Sequence, residues 1–393
     1  MTSALLRPPP LEAGAHRPLP VVVRRLTLTD FRSYRHARLD LGPAPVVLIG
    51  PNGAGKTNLL EAISLLAPGR GLRGARLDEI DRDGGGPFGV AARVDPGGGT
   101  VLEVGTGRDG ESGRERRLVR IDGTARGQTD LAEVMRVVWL VPAMDQLFQE
   151  AAAARRRFLD RLVLVGEPAH AAAAARYQHA VRERLRLLRT GRRDPTWLEV
   201  LEQRAAASGV AVAAARRRAI FELERMLEAE GDTAFPRPSL GLRGEVEGWL
   251  DELPALDVES RFAARLAGNR MADAEAGMTT LGPHRSDLEV SDAASGRPAR
   301  LCSTGQQKAL LVSIVLAEAR LRARDGGRLP VLLLDEVAAH LDPGRRAELF
   351  REIRALGAQA WLTGTDAADF EGLEGRAQFF AIHDGDVRPV GAA

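Results

Sequence analysis

The stretch from Gly50 to Asn58 reads GPNGAGKTN and holds the residue types that bind a phosphate chain. Its glycines let backbone N–H groups approach an anion closely, because no Cβ blocks them. Lys56 can reach the terminal phosphates of a nucleotide, and the Thr57 hydroxyl can coordinate Mg²⁺. A chance glycine-rich turn is the alternative. The complete pattern G-x-x-x-x-G-K-[ST] predicts a nucleotide-binding loop, whose residues are Gly50, Pro51, Asn52, Gly53, Ala54, Gly55, Lys56 and Thr57.

The segments on both sides of this loop have the pattern that such a loop requires. Residues 45–49 (PVVLI) form an apolar run typical of a buried strand, and residues 59–63 (LLEAI) begin a helical pattern. The order of strand, glycine loop and helix brings the positive end of the helix to the phosphates. We therefore expect an α/β nucleotide-binding fold around the loop.

Two acidic residues follow another apolar run. Residues 330–334 (PVLLL) are typical of a strand buried on both faces, and Asp335 and Glu336 come directly after it. At the carboxyl end of a parallel strand these side chains face the ligand crevice, where Asp335 can hold Mg²⁺ and Glu336 can act as a general base. A plain surface turn could carry the same two acids, but the glycine loop in the same chain favours a catalytic site.

A helix start is the third candidate element. Residues 303–308 (STGQQK) open a helical pattern that extends to residue 324. Ser303 or Thr304 is a suitable N-cap, and Gly305 exposes the N–H groups of the first turn. An ordinary capped helix would look the same. A helix N-terminus with hydroxyls and no acid nearby also suits an anion.

The chain uses arginine almost everywhere for positive charge. Lysine and arginine together number 55, but lysine occurs only at Lys56 and Lys308, which both lie in the segments described above. A codon bias toward arginine explains the total. Because a lysine ammonium is a compact point charge and a guanidinium is a planar fork, we expect Lys56 not to be freely exchangeable.

Composition sets the broad class of protein. With 393 residues, of which 44% are hydrophobic and 27% charged, the chain is long enough for a soluble globular protein of about two domains. The formal charge of +2 permits nucleic-acid binding without arguing for it. The single cysteine, Cys302, excludes an internal disulfide, and no apolar run reaches the length of a membrane span. Residues 1–20 hold prolines and no secretory signal, so we expect a flexible tail and a cytoplasmic location.

The pattern changes after residue 150. Residues 21–150 and 276–393 hold the strand candidates, including short strands between residues 88 and 121 that predict an antiparallel layer. Residues 151–230 are rich in Ala, Leu and Arg, and Tyr177, Val181, Leu185 and Leu188 recur at helical spacing. The helical domain that they predict spans residues 151–275. We expect a head built from both ends of the chain and an inserted helical arm. Sixteen arginines against ten acidic residues between residues 155 and 230 suit either DNA contact or an ordinary solvated helix face.

These motifs together resemble a known class of protein. The segments GPNGAGKT, STGQQK, LLLDE and the HLD that follows are similar to the ABC-type ATPases of the SMC and RecF class. Further segments resemble the RecF family within that class and run in family order along nearly the whole chain: residues 28–34 (LTDFRSY), 70–73 (RGLR), 155–160 (RRRFLD) and 281–288 (LGPHRSDL).

The resemblance implies an ABC-type ATPase head and an ATP-dependent homodimer. In that class each nucleotide lies between the glycine loop of one subunit and the STGQQ-like segment of the other. Thr365 and Arg32 match functional positions of the family more weakly. The residues that the resemblance assigns are residues 50–57 for ATP, Thr57 and Asp335 for Mg²⁺, Lys56 and Glu336 for hydrolysis, and Ser303, Gly305, Gln306 and Asp342 across the dimer.

The implied function is that of an ATP-dependent DNA-binding recombination mediator. Such a protein dimerises with ATP at DNA gaps and at single-strand/double-strand junctions. It cooperates with RecO and RecR to load RecA in DNA repair, replication restart and the SOS response. Its ATP hydrolysis is slow and acts as a release switch.

Two points limit the match or compete with it. Residues 142–145 (PAMD) and the alanine run 151–154 replace the Pro-Glu-Asp and Gly-Pro of the family pattern, which leaves open whether Asp145 or Gln146 senses the nucleotide. The alternative function is the ATPase subunit of an ABC membrane transporter, but those subunits carry an LSGGQ-type signature and no helical arm of this length. A small-molecule P-loop kinase would leave residues 303–308 and the arm unexplained.

Overall fold

The computed structural model describes residues 19–110, 116–190, 194–229, 233–326 and 328–390. Residues 1–18, most of the predicted tail, lie outside this part of the chain. The strands are β1 Leu19–Pro20, β2 Val22–Phe31, β3 Tyr34–Asp40, β4 Val46–Ile49, β5 Gly89–Asp95, β6 Leu102–Arg108, β7 Arg117–Ile121, β8 Thr124–Ala125, β9 Val137–Leu140, β10 Pro238–Arg243, β11 Asp287–Asp292, β12 Arg328–Leu329, β13 Val331–Leu334, β14 Ala360–Gly364, β15 Gln378–His383 and β16 Asp386–Val390.

The α-helices occupy the segments between these strands. They are α1 Lys56–Ser64, α2 Leu131–Val134, α3 Ala152–Gly166, α4 Ala169–Arg189, α5 Pro195–Ala229, α6 Glu245–Glu252, α7 Ala255–Gly268, α8 Arg270–Ala276, α9 Thr304–Gly326 and α10 Pro343–Leu356.

A mostly parallel sheet forms the centre of the head, with the strand order β16-β15-β4-β14-β13-β9. Strand β4, from the first part of the chain, lies between β14 and β15, from its last part, and is parallel to both. Alternate side chains of the central strands enter two separate hydrophobic cores. For example, Leu332 and Leu334 pack on the side of α9 and α10, whereas Val331 and Leu333 pack on the side of α1. Burial on both faces explains the continuous apolar runs of these strands.

An antiparallel sheet of order β3-β2-β5-β6-β7-β8 covers the α1 side of the central sheet. The buried residues of β2 and β5, such as Leu26, Leu28 and Val90, pack on the same core as α1. The predicted α/β head with an antiparallel layer is therefore confirmed. Leu19–Pro20, which we expected in the flexible tail, pairs instead with Arg328–Leu329 in a short parallel ladder.

Within residues 151–275, the predicted arm, α4 and α5 form a helical hairpin with α6, α7 and α8 packed beside it. The predicted stripe on α4 is shifted, because Tyr177, Arg184 and Leu188 are buried whereas Leu185 is half-buried. Arg184 has no exposed surface and binds Glu202 (3.0 Å) on α5. It also binds Asp273 (2.7 Å) on α8. These carboxylates compensate the guanidinium charge, so an arginine is tolerated in this core.

The arm is joined to the head by a small sheet that the sequence analysis did not predict. Strand β10 pairs antiparallel with β11 over six residue pairs. It therefore connects the predicted arm, residues 151–275, with the predicted C-terminal part of the head, residues 276–393. The division into these ranges remains a prediction.

Candidate nucleotide-binding site

Three neighbouring parallel strands end at the glycine loop. Strand β4 leads directly into Gly50, β13 into Asp335, and β14 ends with Thr363 and Gly364. The carboxyl ends of parallel strands are where open α/β sheets bind ligands. Register pairs Ile49 with Gly364, and the Gly50 N–H donates to the Gly364 carbonyl oxygen at 3.3 Å. The sheet therefore brings the predicted loop and the predicted acidic pair to one edge.

The backbone of the glycine loop bends tightly, as its glycines predict. Gly53 and Gly55 have φ angles of 82° and 110°, in the left-handed region that favours glycine. A Cβ on Gly50 would collide with the backbone oxygen of Ile382 in the neighbouring strand β15. The hydroxyl of Tyr34 donates to the Gly55 carbonyl oxygen at 3.0 Å and fixes the loop from the antiparallel layer. The family-like segment 28–34 therefore supports the loop at its buried end.

Lys56 is the first residue of α1 and is only 4% exposed. Its Nζ donates to the carbonyl oxygens of Gly50 (2.7 Å) and Pro51 (2.9 Å), so the loop folds around the ammonium group. Burial lowers the pKa of Lys56, while the carboxylates of Glu336 and Asp335 raise it. A cation at the positive end of a helix is unfavourable by itself and is complementary to an anion.

Thr57 and Asp335 meet as the sequence predicts. The Thr57 Oγ1 lies 3.0 Å from Oδ1 and 2.9 Å from Oδ2 of Asp335, although 278 positions separate the two residues. Burial raises the pKa of Asp335, against hydrogen bonds from Thr363 and Thr57 that lower it. A hydroxyl and a buried carboxylate form a pair of hard-oxygen groups that fits Mg²⁺.

Thr363 is a site residue that the sequence analysis missed. Its Oγ1 donates to Asp335 Oδ1 at 2.7 Å and accepts from the Glu336 N–H at 2.8 Å, and the side chain is buried. Glu336 has a φ of 52°, a conformation that is strained for a residue with a side chain. Thr363 therefore holds both candidate acids. The weaker match, Thr365, lies exposed just beyond the end of β14.

The Arg32 side chain makes its hydrogen bonds within the chain. Its guanidinium binds both carboxylate oxygens of Glu61 on α1, at 2.9 and 2.7 Å, and donates to the Glu79 carbonyl oxygen. Arg73 binds the same Glu61 and the side chain of Asn58. Glu61 is 1% exposed, so two arginines compensate one buried charge. The family-like segment 70–73 thus contributes Arg73 to the wall of the loop, and Arg32 orients α1.

The start of α9 is capped and exposed. The Gln306 N–H donates to Ser303 Oγ at 3.3 Å, and the Ser303 N–H donates to Gln306 Oε1 at 3.0 Å, which is a capping box. Ser303, Thr304, Gly305 and Gln306 are all exposed. These residues therefore lie on the surface, with first-turn N–H groups available to a ligand from outside the chain.

Asp342 lies beside this helix start and caps α10. Its Oδ1 accepts from the Arg345 N–H at 3.0 Å, and its carboxylate pairs with the Arg345 side chain at 3.6 Å. Arg345 Nη1 lies 3.5 Å from the Gly305 carbonyl oxygen. The two segments predicted to act across a dimer are thus adjacent on one exposed surface.

Two further residues near β9 have different environments. Asp145 pairs with Lys308 of α9, whose Nζ lies 3.4 Å from Asp145 Oδ2. Gln146 is exposed. The sequence did not decide which of the two residues senses the nucleotide. The structure connects Asp145, through Lys308, to α9, whose start holds predicted site residues.

No helix within the described ranges is long and apolar enough to cross a membrane.

Known proteins match the chain over almost its full length. The family model for the RecF/RecN/SMC N-terminal domain matches residues 22–382. A similar architecture occurs in two solved structures of the recombination mediator protein RecF of the RecFOR pathway, one of them with ATP. These have TM-scores of 0.84 and 0.83 at 22% identity, and cover 96% of this chain and 100% of theirs. The fold and site therefore define an ABC-type ATPase of the SMC and RecF class.

Within that class the relatives are specific. The DNA replication and repair protein RecF of Mesorhizobium japonicum is 53% identical over 371 residues, covering 94% of this chain and 98% of the relative. RecF of Brucella suis is 47% identical over 387 residues, covering 97% of this chain and 100% of the relative. The chain belongs to the RecF family.

Proposed function

We propose that this chain is an ATP-dependent DNA-binding recombination mediator that works as a homodimer in DNA repair. The observation that carries the proposal is the division of the binding residues between two surfaces. Lys56, Thr57 and Asp335 form one half of a nucleotide site, whereas the capped start of α9 is exposed and not part of that cluster. An exposed helix N-terminus whose first turn holds no acid is complementary to a phosphate that another subunit presents.

The roles of the residues follow from their surroundings. Residues 50–57 bind the phosphates of ATP through the backbone N–H groups of the glycine loop that follow Pro51 and through the Lys56 ammonium, and Thr57 and Asp335 would hold Mg²⁺. Bound Mg²⁺ would neutralise charge on the phosphates. Glu336, held by Thr363 at the end of β13, accepts the proton of the attacking water. Hydrolysis is slow. It acts as a release switch for the dimer and does no chemistry on the DNA.

DNA is the proposed partner of the closed dimer. We expect binding at gapped duplexes and single-strand/double-strand junctions, together with RecR and RecO, to support RecA loading, replication restart and the SOS response. The relatives named DNA replication and repair protein RecF support this assignment. DNA binding should require ATP and weaken steeply with salt, because phosphate contacts dominate such interfaces. Binding that ignores both ATP and salt would contradict it.

The shared nucleotide site has a sharp test at Ser303. Asparagine and aspartate cap a helix about as well as serine, so Ser303→Asn and Ser303→Asp both preserve α9. Only aspartate places a negative charge at the anion-binding end of the helix. We expect both variants to bind ATP as monomers like wild type. The Ser303→Asp variant should lose ATP-dependent dimerisation, whereas Ser303→Asn should retain most of it.

Sedimentation velocity with and without ATP measures these outcomes, and gapped duplex is added in a second series. Lys56→Ala provides the opposite phenotype, because it should lose ATP binding itself. Ser260→Asp, on an exposed serine of arm helix α7, controls for the added charge. A Ser303→Asp chain that dimerises with ATP as well as wild type would refute the shared-site proposal.

A further inference from the structure

The two exposed aromatic side chains within the described ranges lie on the same arm helix, α5. Trp197 is 45% exposed and Phe221 is 60% exposed. The other three tryptophans are at most 8% exposed, both tyrosines are buried, and the other phenylalanines are buried or half-buried. Because burying a large ring is favourable, two such rings on the surface of one helix mark an area that a ligand can cover.

Both rings belong to a row of side chains along the outside of α5, which we call the α5 stripe. Residues seven positions apart lie on nearly the same side of an α-helix. The stripe consists of Trp197, Arg204, Ala211, Arg218 and Arg225 at this spacing, with Ala207 and Phe221 between them, and all of these residues are exposed. The stripe therefore combines rings and arginines without any acid. From its first residue to its last it spans about 42 Å, at 1.5 Å per residue.

Two arginines of the α5 stripe lie beside its rings. The guanidinium carbon of Arg204 is 6.0 Å from the ring centroid of Trp197, and that of Arg225 is 5.8 Å from the ring centroid of Phe221. Within the described ranges, neither of these arginines forms an ion pair with an acid. Their positive charge is therefore available to an anionic ligand.

Two acids bind residues of the α5 stripe, and both are engaged within the chain. The Asp194 carboxylate accepts from the N–H groups of Thr196 (3.0 Å) and Trp197 (3.2 Å), which fixes the start of α5. Glu167 pairs with Arg218 at 3.1 Å, but both side chains are exposed, where an ion pair contributes little stability. Neither acid therefore neutralises the arginines beside the rings.

Single-stranded DNA is the ligand whose chemistry fits this surface. Each of its bases has a π face that stacks on an aromatic ring, and its phosphates attract arginine. In a duplex the bases are already stacked on one another, so a duplex could contact only the arginines. An ordinary solvated helix face is the alternative explanation, but such a face carries charged residues of both signs and few large rings.

We propose that the α5 stripe is a stacking platform for single-stranded DNA. The inference rests on the proposed function, because a DNA gap would present a single strand to the arm. One base stacks on Trp197 and another on Phe221, while the phosphates between them lie along the arginines. The arm then distinguishes a gap from an intact duplex by the availability of unpaired bases.

Fluorescence of Trp197 tests the stacking directly, because the other tryptophans are buried. Oligothymidylate should quench the fluorescence of the full wild-type chain with and without ATP. Trp197→Phe should remove this quench and keep the affinity for oligothymidylate within a few-fold. Trp197→Ala should weaken that affinity roughly 5- to 150-fold, which corresponds to the loss of one base–aromatic stack, and should leave binding of a blunt duplex unchanged. Arg204→Gln should lower the slope of log affinity against log salt for oligothymidylate by about 0.7.

Two variants on arm helix α7 are matched controls. Leu256→Ala removes another exposed apolar side chain, and Arg261→Gln removes an arginine whose guanidinium carbon lies 4.6 Å from the ring centroid of Trp249. Both should bind oligothymidylate like wild type.

Three results would overturn the inference. They are the absence of a quench in wild type, an unchanged affinity of Trp197→Ala for oligothymidylate, and an equal loss of affinity for the blunt duplex. Weaker binding of RecR or RecO by Trp197→Ala with unchanged oligothymidylate binding would assign the stripe to a protein partner and overturn it as well. A wild-type chain that stays monomeric with ATP would overturn the proposed function alone, because the quench is also read without ATP.

Discussion

Thr363 offers a direct test of how the acidic pair is held. Its hydroxyl donates to Asp335 at 2.7 Å and accepts from the backbone of Glu336 at 2.8 Å. Valine has nearly the same shape as threonine, so Thr363→Val removes both hydrogen bonds without leaving a cavity. Serine retains the hydroxyl, which makes Thr363→Ser the matched control. Only the valine variant should change the site.

The magnitude follows from the two bonds that are lost. A buried donor without a partner costs about 1–3 kcal/mol, and a hydrogen bond to a charged acceptor contributes about 1.5–3 kcal/mol. We therefore expect Thr363→Val to lower the free energy of unfolding by roughly 2–4 kcal/mol, allowing for partial relaxation. The φ of 52° at Glu336 should relax as well, because its cost of about 1–3 kcal/mol is no longer offset by the hydrogen bond.

The catalytic consequence is measured as ATP turnover together with ATP affinity. Lys56 and the loop remain intact, so Thr363→Val should bind ATP at neutral pH and turn it over much more slowly than wild type. In the wild-type chain, the hydrogen bond from Thr363 opposes the effect of burial on the pKa of Asp335. Loss of this donor therefore raises the pKa of Asp335 further. Mg²⁺-dependent ATP binding should therefore weaken more than in wild type as pH falls. A Thr363→Val variant with the stability and turnover of Thr363→Ser would refute this reasoning.

Two further predictions concern folding. Burial raises the pKa of Asp160, but hydrogen bonds from His170 and Arg216 outweigh it and lower the pKa from 3.8 to about 2. The resulting stabilisation of about 2 kcal/mol is fully present above pH 3.8 and is lost as pH falls through about 2. Asp160→Asn should therefore make the free energy of unfolding depend less on pH in this acid range, as followed by circular dichroism. An unchanged dependence on acid pH would contradict the prediction. Gly50→Ala should destabilise the head and abolish ATP binding, because its Cβ would collide with a backbone oxygen of β15. Gly248→Ala lies inside α6, where the added Cβ would meet no atom, so it should leave ATP binding unchanged and stabilise the helix slightly. Equal ATP binding by both variants would contradict the close-approach argument.

Short-range sequence patterns predict the parts of the site that depend on neighbouring residues. The loop, the strand before it and helix α1 are encoded within about twenty consecutive residues, so periodicity and glycine spacing identify them. The capping box at Ser303 and Gln306 is equally local. The strands of the central sheet follow from apolar runs, because a strand buried on both faces needs no partner to be recognised.

Contacts between distant segments could not be predicted in this way. Thr363 becomes a site residue only because β14 lies next to β13, an order that no local pattern specifies. Arg184 replaces Leu185 in the buried stripe of α4, because Glu202 and Asp273 reach it from other helices. Binary patterning assigns charged residues to the surface, so it misplaces a buried arginine whose carboxylate partners are remote in sequence.

Two family-like segments form the junction between the arm and the head. Arg155 of α3 binds the Asp287 carboxylate at 2.7 and 2.8 Å, and Arg156 donates to the Ser286 carbonyl oxygen at 2.6 Å. The hydroxyl of Tyr177 on α4 lies 2.5 Å from His284 Nδ1. All of these groups are buried or half-buried, where breaking one partner of a charge pair costs about 3–5 kcal/mol.

The contacts of these two segments therefore have a structural role. Strand β11 begins at Asp287 and leads through the turn at residues 299–301 to Ser303 at the start of α9. The arm is thus fixed to the same chain segment that carries the proposed contact to a second subunit. A force on the arm, from DNA or from a protein, would therefore act on the segment that leads to the start of α9.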